Sequence, residues 1–357
     1  MATRHGFRWL VAVTAAGALL AGCSSTGGTT AGGGSTTPAG SGSSGAASVG
    51  ATAVDTAVAT AAALPSPDPV TGTVTIGVSF SLIDEFIQTV ADGVTAEGKK
   101  LGVKVNIVQA NEQTDTQLSQ VENFVSQGVQ AIIVEIVDPT TAEPMTQAAE
   151  AAHIPIVYVN RKPSTQDAGV PYVGSDAYIA GSLEMTQLAK DAGGKGNVVI
   201  LEGDPSNEAA ISRTKACNDV VAKNPGMKVT KTQAANWYRD KAQTIMENWL
   251  QTGEEIDVVC ANNDEMALGA INAIKAAGKK LGVGGILVGG NDATADGQAA
   301  IRDGSLDATA YQNGPAQGSQ AVDAAVDLIQ KKTVPSYVDV PYQLVDKANI
   351  DQVFAKK

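Results

Sequence analysis

From residue 73 onward, short apolar segments of strand length alternate with segments whose apolar residues recur at helical spacing, and this alternation constrains the fold more than any other feature. A strand followed by a helix and then by another strand predicts a parallel sheet covered by helices. The alternation runs through two successive series. We therefore predict an α/β fold made of two similar, doubly wound parallel-sheet lobes.

The predicted elements are placed by the apolar runs and by the turn residues between them. Strands are predicted at 73–80, 103–109, 131–136, 156–160 and 172–173 in the first series, and at 197–202, 228–233, 258–261, 285–289 and 308–312 in the second. Helices are predicted near 85–100, 114–127, 140–152, 176–192, 210–223, 239–252, 264–277 and 293–303. A last helix at 315–331 and a last strand at 337–345 follow both series, so we expect the chain to cross between the lobes more than once.

Polar and aromatic residues stand at the end of nearly every predicted strand. Asn262, Asn263 and Asp264 follow the apolar strand at 258–261 and immediately precede an Ala- and Leu-rich helix. The other strand ends carry Asp84, Phe86, Glu135, Asp138, Asn160, Arg161, Asn207, Glu208, Arg213, Trp237, Asn291, Asp292, Gln312 and Asn313. Because ligands bind beyond the carboxyl ends of strands in open parallel sheets, we expect these side chains to meet at one edge.

The chemistry of this set predicts a small, neutral ligand that is rich in hydroxyl groups. Asp, Asn and Arg side chains present planar pairs of hydrogen-bonding atoms that can contact two neighbouring hydroxyls. The face of a Phe or Trp ring can cover the C–H face of a sugar ring. The carboxylates in the set argue against a strongly anionic ligand, and the formal net charge of −12 argues against nucleic acid as a partner.

The same residues also have purely structural interpretations. Asp264 is expected to be the N-cap of the helix that follows it, with Asn263 facing the ligand and Asn262 bonded to local backbone. Capping, turn, packing or solvated roles stay open as alternatives for Asp84, Asp138, Trp237 and Arg213. The convergence of the whole set at one edge, rather than any single member, therefore favours a binding site.

The first 23 residues have the pattern of an export signal. Arg4 and Arg8 precede an apolar run that is too short to span a membrane comfortably, and small residues lead into Cys23. Residues 1–23 resemble a bacterial lipoprotein signal in which Cys23 is lipidated; the alternative is an ordinary secretory signal with a chance cysteine. Residues 24–72 are rich in Gly, Ser, Thr and Ala, a composition that predicts a disordered tether.

Cysteine and histidine are too sparse to predict a metal site. Cys217 and Cys260 can form a disulfide in an exported protein, or can remain two buried thiols. The only histidines in the sequence are His5 and His153. Neither a metal ion nor a cofactor is predicted.

An ordered set of motifs resembles the ribose/galactose type of periplasmic sugar-binding protein, the solute receptor of bacterial ABC importers. The motifs are GVSFSLIDEF, QLSQVENFVSQGVQAIIVEIVDP, IPIVYVNRKP, YVGSDAYIAG, ANNDEMALGA, VGGNDATADG and VPYQLVDKANI, and the likeness covers roughly residues 73–354. It implies the type I periplasmic binding protein fold, in which two lobes joined by a three-segment hinge close on a sugar. The N-terminal lobe is then expected at 73–172 and 313–332, and the C-terminal lobe at 173–312 and 333–357.

The resemblance also implies which residues bind the ligand. It assigns this role to Asp84, Phe86, Glu135, Asn160, Arg161, Asn207, Arg213, Trp237, Asn263, Asp292 and Gln312. Three positions depart from the relatives: Glu135 replaces an Asn, Asn160 replaces an Asp, and Ala209 replaces an Asp. The ligand is therefore left open among pentoses, hexoses, inositols and linear alditols. Residues 240–253 have a helical pattern without the spacing of calcium ligands, so calcium is not predicted.

These observations predict a monomeric, lipid-anchored binding protein on the outer face of the cell membrane. It would deliver a sugar or polyol to the membrane permease of an ABC importer. One alternative is a sensory receptor of the same fold. Another is a glycoside-acting enzyme, in which Asp84 and Glu135 would imitate a carboxylate pair. The predicted lobes contain no Gly-x-Ser-x-Gly elbow and no P-loop, so we expect no enzymatic activity.

Overall fold

Two six-stranded sheets organise residues 63–355, the part of the chain that a computed structural model describes. The predicted α/β architecture with two parallel-sheet lobes is confirmed. The predicted signal at 1–23, its Cys23 and the tether as far as residue 62 lie outside the described residues.

The N-terminal lobe is built on the first sheet. Its strands are β1 (Thr75–Phe80), β2 (Lys104–Gln109), β3 (Ala131–Val134), β4 (Ile156–Val159), β5 (Tyr172–Gly174) and β11 (Tyr337–Asp339). They lie in the order β11-β5-β4-β3-β1-β2, and each neighbouring pair is parallel. Its helices are α1 (Glu85–Leu101), α2 (Thr114–Gln127), α3 (Ala142–Ala151) and α9 (Gly314–Ile329), with a short 3-10 helix at Pro139–Thr141.

The C-terminal lobe is built on the second sheet. Its strands are β6 (Lys195–Glu202), β7 (Gly226–Ala234), β8 (Val258–Ala261), β9 (Leu287–Asp292), β10 (Ala308–Tyr311) and β12 (Gln343–Asp346). They lie in the order β12-β10-β9-β8-β6-β7, parallel except for the antiparallel pair of β10 and β12. Its helices are α4 (Ala177–Asp191), α5 (Glu208–Ala222), α6 (Arg239–Gln251), α7 (Asp264–Ala276), α8 (Ala295–Asp303) and α10 (Ile350–Val353).

Each sheet is buried on both faces, which explains why its central strands are apolar throughout. Successive side chains of a strand point to opposite faces. In β3, Ala131 and Ile133 join one apolar cluster while Ile132 and Val134 join another. Strands β6 and β8 divide their side chains in the same way between two clusters of the second lobe.

The strand order reverses at an equivalent place in both sheets. The chain moves from β1 outward to β2 and then returns to β3 on the other side, and it repeats this path with β6, β7 and β8. Ligands bind outside the carboxyl ends of the strands at such a reversal. The topology therefore brings the loops after β1, β3, β6 and β8 to the position where a site is expected.

The chain crosses between the lobes at three segments, which are Ser175–Asp176, Gln312–Asn313 and Val340–Tyr342. The predicted single strand at 337–345 is wrong, because β11 pairs in the first sheet and β12 in the second. Residues 337–339, predicted in the C-terminal lobe, therefore pair with the N-terminal lobe. The predicted boundary between residues 172 and 173 likewise falls inside β5, whose pairing continues to Gly174.

Helices α1 and α9 pack unusually closely on the first lobe. A Cβ atom on Gly93 would lie 2.2 Å from the carbonyl oxygen of Pro315, and one on Gly318 would lie 2.1 Å from that of Val90. Only glycine allows the two backbones to approach to this extent. This contact holds α9 on the N-terminal lobe, although α9 follows the second series of strands in the sequence.

Residues 64–70 were predicted to belong to the disordered tether, but the structure packs them on the first lobe. Leu64 exchanges hydrogen bonds with the Gln320 side chain, and Val70 donates its N–H to the carbonyl of Leu101 (3.1 Å). Both residues also contact the apolar cluster beneath α1 and α9. The prediction missed this because burial of two isolated apolar side chains has no periodic signature.

The structure pairs Cys217 of α5 with Cys260 of β8 in a disulfide, with Cα atoms 6.8 Å apart. Of the two alternatives left open by the sequence, the disulfide is the one observed. The bond connects α5, the helix that follows β6, to β8, the strand beside β6 in the sheet. Among the described residues, no helix combines the length and the apolar character needed to cross a membrane.

Candidate functional site

A cavity of about 560 Å³, counted with its solvent-open mouth, lies between the carboxyl ends of the two sheets. Ten of the eleven predicted ligand-binding residues line it: Asp84, Phe86, Asn160, Arg161, Asn207, Arg213, Trp237, Asn263, Asp292 and Gln312. Side chains from both lobes thus meet around one space, as the strand-end analysis predicted.

Arg213 is the most heavily bonded side chain of the cavity wall. It projects from the second turn of α5 and is only 4% exposed. Its guanidinium donates to the carbonyl oxygen of Asn262 (2.5 Å), to Gln312 Oε1 (2.9 Å) and to the Tyr342 hydroxyl (2.6 Å). Because Gln312 and Tyr342 stand on two of the three crossing segments, Arg213 links the cavity wall to the hinge.

Asp292 faces this guanidinium from the end of β9, with Oδ1 3.9 Å from Arg213 Nη1. Burial raises the pKa of Asp292 well above its ordinary value, and the positive charge of Arg213 only partly opposes the shift. Desolvation therefore outweighs the ion pair at this distance.

Arg161 belongs to the first lobe, and its negatively charged partner is Glu135, which lies outside the cavity wall. Its Nε atom lies 2.8 Å from Glu135 Oε1, although the N–H direction does not make a hydrogen bond to that oxygen. Glu135 Oε2 accepts the N–H of Ser81 (2.7 Å). Burial raises the pKa of Glu135, while Arg161 and the Ser81 contacts oppose the rise.

The prediction that Glu135 lines the site needs correction. Its side chain has no exposed surface and is not part of the cavity wall. The position after β3 points the carboxylate under the sheet edge, where Arg161 and the Ser81 N–H surround it. Glu135 therefore positions Arg161, and Arg161 presents its guanidinium to the cavity.

Asp84 and Asn160 complete the first-lobe wall and also support the backbone. Asp84 is the N-cap of α1 and accepts the N–H of Ile87 (2.7 Å). Although Asp84 keeps an exposed surface, the protein atoms packed around it displace enough water to raise the pKa of its carboxyl. Asn160 donates to Gln317 Oε1 (3.0 Å) on α9. Asp84 thus caps α1 and also lines the cavity.

The roles of Asn262, Asn263 and Asp264 differ in part from the predicted ones. Asn263 both lines the cavity and caps α7, because its Oδ1 accepts the N–H of Met266 (3.0 Å). Asp264 is not the cap. Its fully buried carboxylate accepts from Thr309 Oγ1 (2.7 Å) and from the N–H of Thr294 (2.9 Å). Asn262 accepts the N–H of Gly203 (3.0 Å), so it serves the backbone as expected.

Trp237 lies flat against a backbone position that has no side chain. A Cβ atom on Gly203 would lie 2.3 Å from the indole ring, so glycine is required beneath it. The Arg213 guanidinium stands 5.8 Å from the ring centroid, within the range of a cation–π contact. The indole Nε1 and Arg213 Nε are buried donors without an acceptor among residues 63–355.

Three residues of the cavity wall have backbone conformations that are unfavourable for most residues other than glycine. Asn160, Trp237 and Asp292 have positive φ angles of 63°, 72° and 114°. Such conformations are uncommon outside glycine and cluster at ligand sites, where the surrounding structure holds them. The surrounding structure therefore holds the backbone of these three residues in a conformation that a free chain would rarely adopt.

The structure adds cavity residues outside the eleven predicted to bind the ligand, although Glu208 had been named among the strand-end residues. These are Ile87, Tyr172, Ser175, Ala177, Glu208, Ala209 and Tyr342. Tyr342 was missed because the segment 337–345 was interpreted as one strand, which hid the crossing that carries it. The VPYQLV motif, a proline beside an aromatic residue, contains the signal that would have marked a break there.

The comparison with protein families matches residues 76–333 to the periplasmic binding protein domain. This range covers most of both lobes. The chain belongs to the periplasmic binding protein family.

Two sequence relatives illustrate the likeness. A Rhizobium meliloti protein, whose name assigns it provisionally to rhizopine binding, is 39% identical over 290 residues, or 79% of this chain and 93% of that protein. The xylitol-binding protein of Mycolicibacterium smegmatis is 37% identical over 281 residues, or 77% of this chain and 78% of that protein.

A solved structure agrees with this assignment. The solute-binding protein of an ABC transporter from Bacillus halodurans C-125, with bound myo-inositol, superposes with a TM-score of 0.76 at 36% identity. The alignment covers 80% of this chain and 99% of that chain. The predicted family and the type I periplasmic binding protein fold are confirmed, and these relatives are binding proteins rather than enzymes.

Proposed function

We propose that this periplasmic binding protein captures a neutral sugar or polyol in the interlobe cavity and delivers it to the permease of an ABC importer. The ligand class includes pentoses, hexoses, inositols and linear alditols. Similar proteins are named for xylitol or were solved with myo-inositol, which makes polyols the first candidates. No chemical step is required, because capture exchanges water for fixed hydrogen bonds.

The observation that carries this proposal is the convergence of planar polar groups from both lobes on one space. Asp84 and Arg161 stand on one side, and Asp292 and Arg213 on the other. Guanidinium and carboxyl groups can each contact two adjacent hydroxyls. A ligand that touches both pairs stabilises the closed arrangement of the lobes, and hydroxyl oxygens supply acceptors for the buried donors Arg213 Nε and Trp237 Nε1.

The aromatic residues give the site its shape preference. Phe86 of the first lobe and Trp237 of the second line the same cavity. Their apolar faces suit the C–H surface of a ring or of a folded alditol. The carboxyl groups of Asp84 and Asp292 stand beside Arg161 and Arg213 in the wall, and this mixture of charges does not favour carboxylated or phosphorylated sugars.

Isothermal titration calorimetry tests this function with a panel of myo-inositol, xylitol, D-ribose and D-allose. We expect saturable binding of at least one member and no binding of a sugar phosphate. Arg213→Lys should weaken that binding by about 2 kcal/mol or more, because an ammonium cannot reproduce three guanidinium contacts. Arg302→Lys, an exposed arginine whose contact is Asp351, is the matched control. A wild-type protein that binds none of the panel would contradict the proposed ligand class.

We further propose that Cys23 is lipidated and anchors the protein to the outer face of the cell membrane. The support is the sequence: an apolar run preceded by Arg4 and Arg8 and ending in Leu20-Ala21-Gly22-Cys23. The Gly-, Ser- and Thr-rich sequence after Cys23 would then connect the lipid to the lobes. Cys23→Ser should move the protein from the membrane fraction to the soluble exported fraction, and its retention at the membrane would refute the anchor.

A further inference from the structure

The two lobes also touch at the cleft mouth, through residues that do not line the ligand cavity. The Glu85 carboxylate at the start of α1 accepts the N–H of Asp296 (3.2 Å) in α8 of the other lobe. The Tyr238 hydroxyl of the second lobe donates to Glu112 Oε2 of the first. These contacts join protein groups directly and need no ligand between them.

Glu85 acts on α8 in the manner of a helix cap supplied by the opposite lobe. The first N–H groups of a helix have no partner within the helix, and its N-terminus carries partial positive charge. Within its own lobe, Thr294 satisfies the N–H of Gly297 (3.1 Å). The Asp296 N–H is left for Glu85, so this contact forms only while the lobes are together.

Arg239 offsets part of the negative charge that closure brings together. It binds Glu265 (Nε to Oε2, 2.9 Å) and Asp296 (Nη2 to Oδ2, 2.8 Å) within the second lobe. Its Nη2 is also 4.0 Å from Glu85 Oε2 across the mouth. Without this cation, the carboxylates of Glu85, Glu265 and Asp296 would face one another and repel.

Solvent reaches these charges. The Glu85 and Arg239 side chains are 33% and 35% exposed. A second cavity, of about 550 Å³ with its open mouth, is lined in part by Glu85, Glu112, Tyr238 and Arg239. Dissolved ions therefore have access to the contacts and can screen them.

We propose that Glu85, Glu112, Tyr238, Arg239 and Asp296 form an electrostatic latch that favours lobe closure, so that the affinity for an uncharged ligand depends on ionic strength. This latch acts through the lobes and not through the ligand. The apparent dissociation constant equals the intrinsic one divided by the fraction of closed protein. Weakening the latch lowers that fraction and thus weakens binding, although no latch residue lines the ligand cavity. The predicted effect on ligand affinity rests on the proposed function, whereas the predicted effect on lobe closure does not.

Small-angle X-ray scattering without added sugar tests closure alone. The latch variant is Glu85→Ala with Tyr238→Phe. Its matched control is Glu143→Ala with Tyr337→Phe, which removes another first-turn glutamate and another tyrosine hydroxyl, each bonded within its own lobe. All proteins are compared as the same full-length chain, so the N-terminal segment contributes equally, and thermal unfolding checks that each is folded.

The expected result is a larger radius of gyration for the latch variant than for the wild type and the control. Raising NaCl from about 0.01 M to about 1 M, which shortens the Debye length from roughly 30 Å to roughly 3 Å, should expand the wild type in the same direction. Identical scattering of all three folded proteins at both salt concentrations overturns the latch.

Titration with myo-inositol, or with whichever panel sugar binds, tests the effect on affinity. At low salt the latch variant should bind about three- to tenfold more weakly than the wild type, the range expected when one or two partly exposed polar contacts are lost. Its affinity should also respond less to salt. If no panel member binds the wild type, the proposed ligand class fails while the scattering experiment still decides the latch. Equal affinities and equal salt responses overturn its role in binding.

Discussion

The guanidinium of Arg161, which faces the ligand cavity, is held from behind by the fully buried carboxylate of Glu135, with Nε and Oε1 2.8 Å apart. The same carboxylate accepts the N–H of Ser81 (2.7 Å), the residue after β1. One side chain therefore ties the ends of two adjacent strands to a cavity residue on a third.

Removal of the Glu135 carboxylate should destabilise the protein as well as its site. Glu135→Ala leaves Arg161 and the Ser81 N–H without their partner, and we expect the free energy of unfolding to fall by about 3–5 kcal/mol. Urea denaturation measures this change. Glu135→Gln, which keeps an acceptor oxygen but not the charge, should lose less. Unaltered stability together with abolished sugar binding would instead place Glu135 in contact with the ligand.

Trp237 should contribute to ligand affinity. Trp237→Ala removes the aromatic face of the second lobe, and we expect binding of the identified sugar to weaken by about 2 kcal/mol or more, as for an aromatic hot spot. Trp237→Phe should recover part of the loss. Trp249→Phe, on a buried tryptophan of α6 outside the cavity, should change calorimetric affinity little. Equal affinities of Trp237→Ala and the wild type would exclude stacking.

Stability should fall as the pH rises through the acidic range. Burial raises the pKa of Asp264 from an ordinary value of 3.8 to about 7. Between these two values the folded protein retains a proton that the unfolded chain releases, so higher pH favours unfolding. The contribution of this group is at most about 1.4 kcal/mol per pH unit, and it is fully present below the unfolded pKa and lost by about pH 7.

Urea denaturation at several pH values checks this dependence, with Asp264→Asn compared against the wild type. The amide cannot titrate, so the variant should show a flatter decline between about pH 4 and 7. Asp138→Asn, at the cap of the short 3-10 helix, is the control. Parallel curves for wild type and Asp264→Asn would show that Asp264 is ionised throughout this range.

The Cys217–Cys260 disulfide should stabilise the second lobe. It closes a loop with a sequence separation of 43, and the chain-entropy relation gives about 4 kcal/mol for a loop of that size. Cys217→Ala with Cys260→Ala should lower the free energy of unfolding by that order. Reductant should destabilise the wild type but not the double variant. A reductant-insensitive wild type would mean that the two thiols are not bonded.

The local pattern of the sequence was enough to predict most elements and the edge at which polar groups gather. Strands β3, β6 and β8 are apolar runs because both faces of each sheet are buried. Parallel topology then places Asp84 at the carboxyl edge of the first sheet, and Asn263 and Asp292 at that of the second, whatever the details of packing. Ten cavity residues could be named because this relation depends only on strand direction and on position along the chain.

Distances between segments far apart in sequence were decided only by the tertiary structure. The sequence could not show that Glu135 lies behind Arg161, that Asn263 rather than Asp264 caps α7, or that the cysteines pair. It could not show that residues 337–345 divide between two sheets, because either sheet accepts the same alternating pattern. Local periodicity specifies which face of an element is buried, whereas the partner it meets depends on how complete lobes pack, and that information is not contained in any single segment.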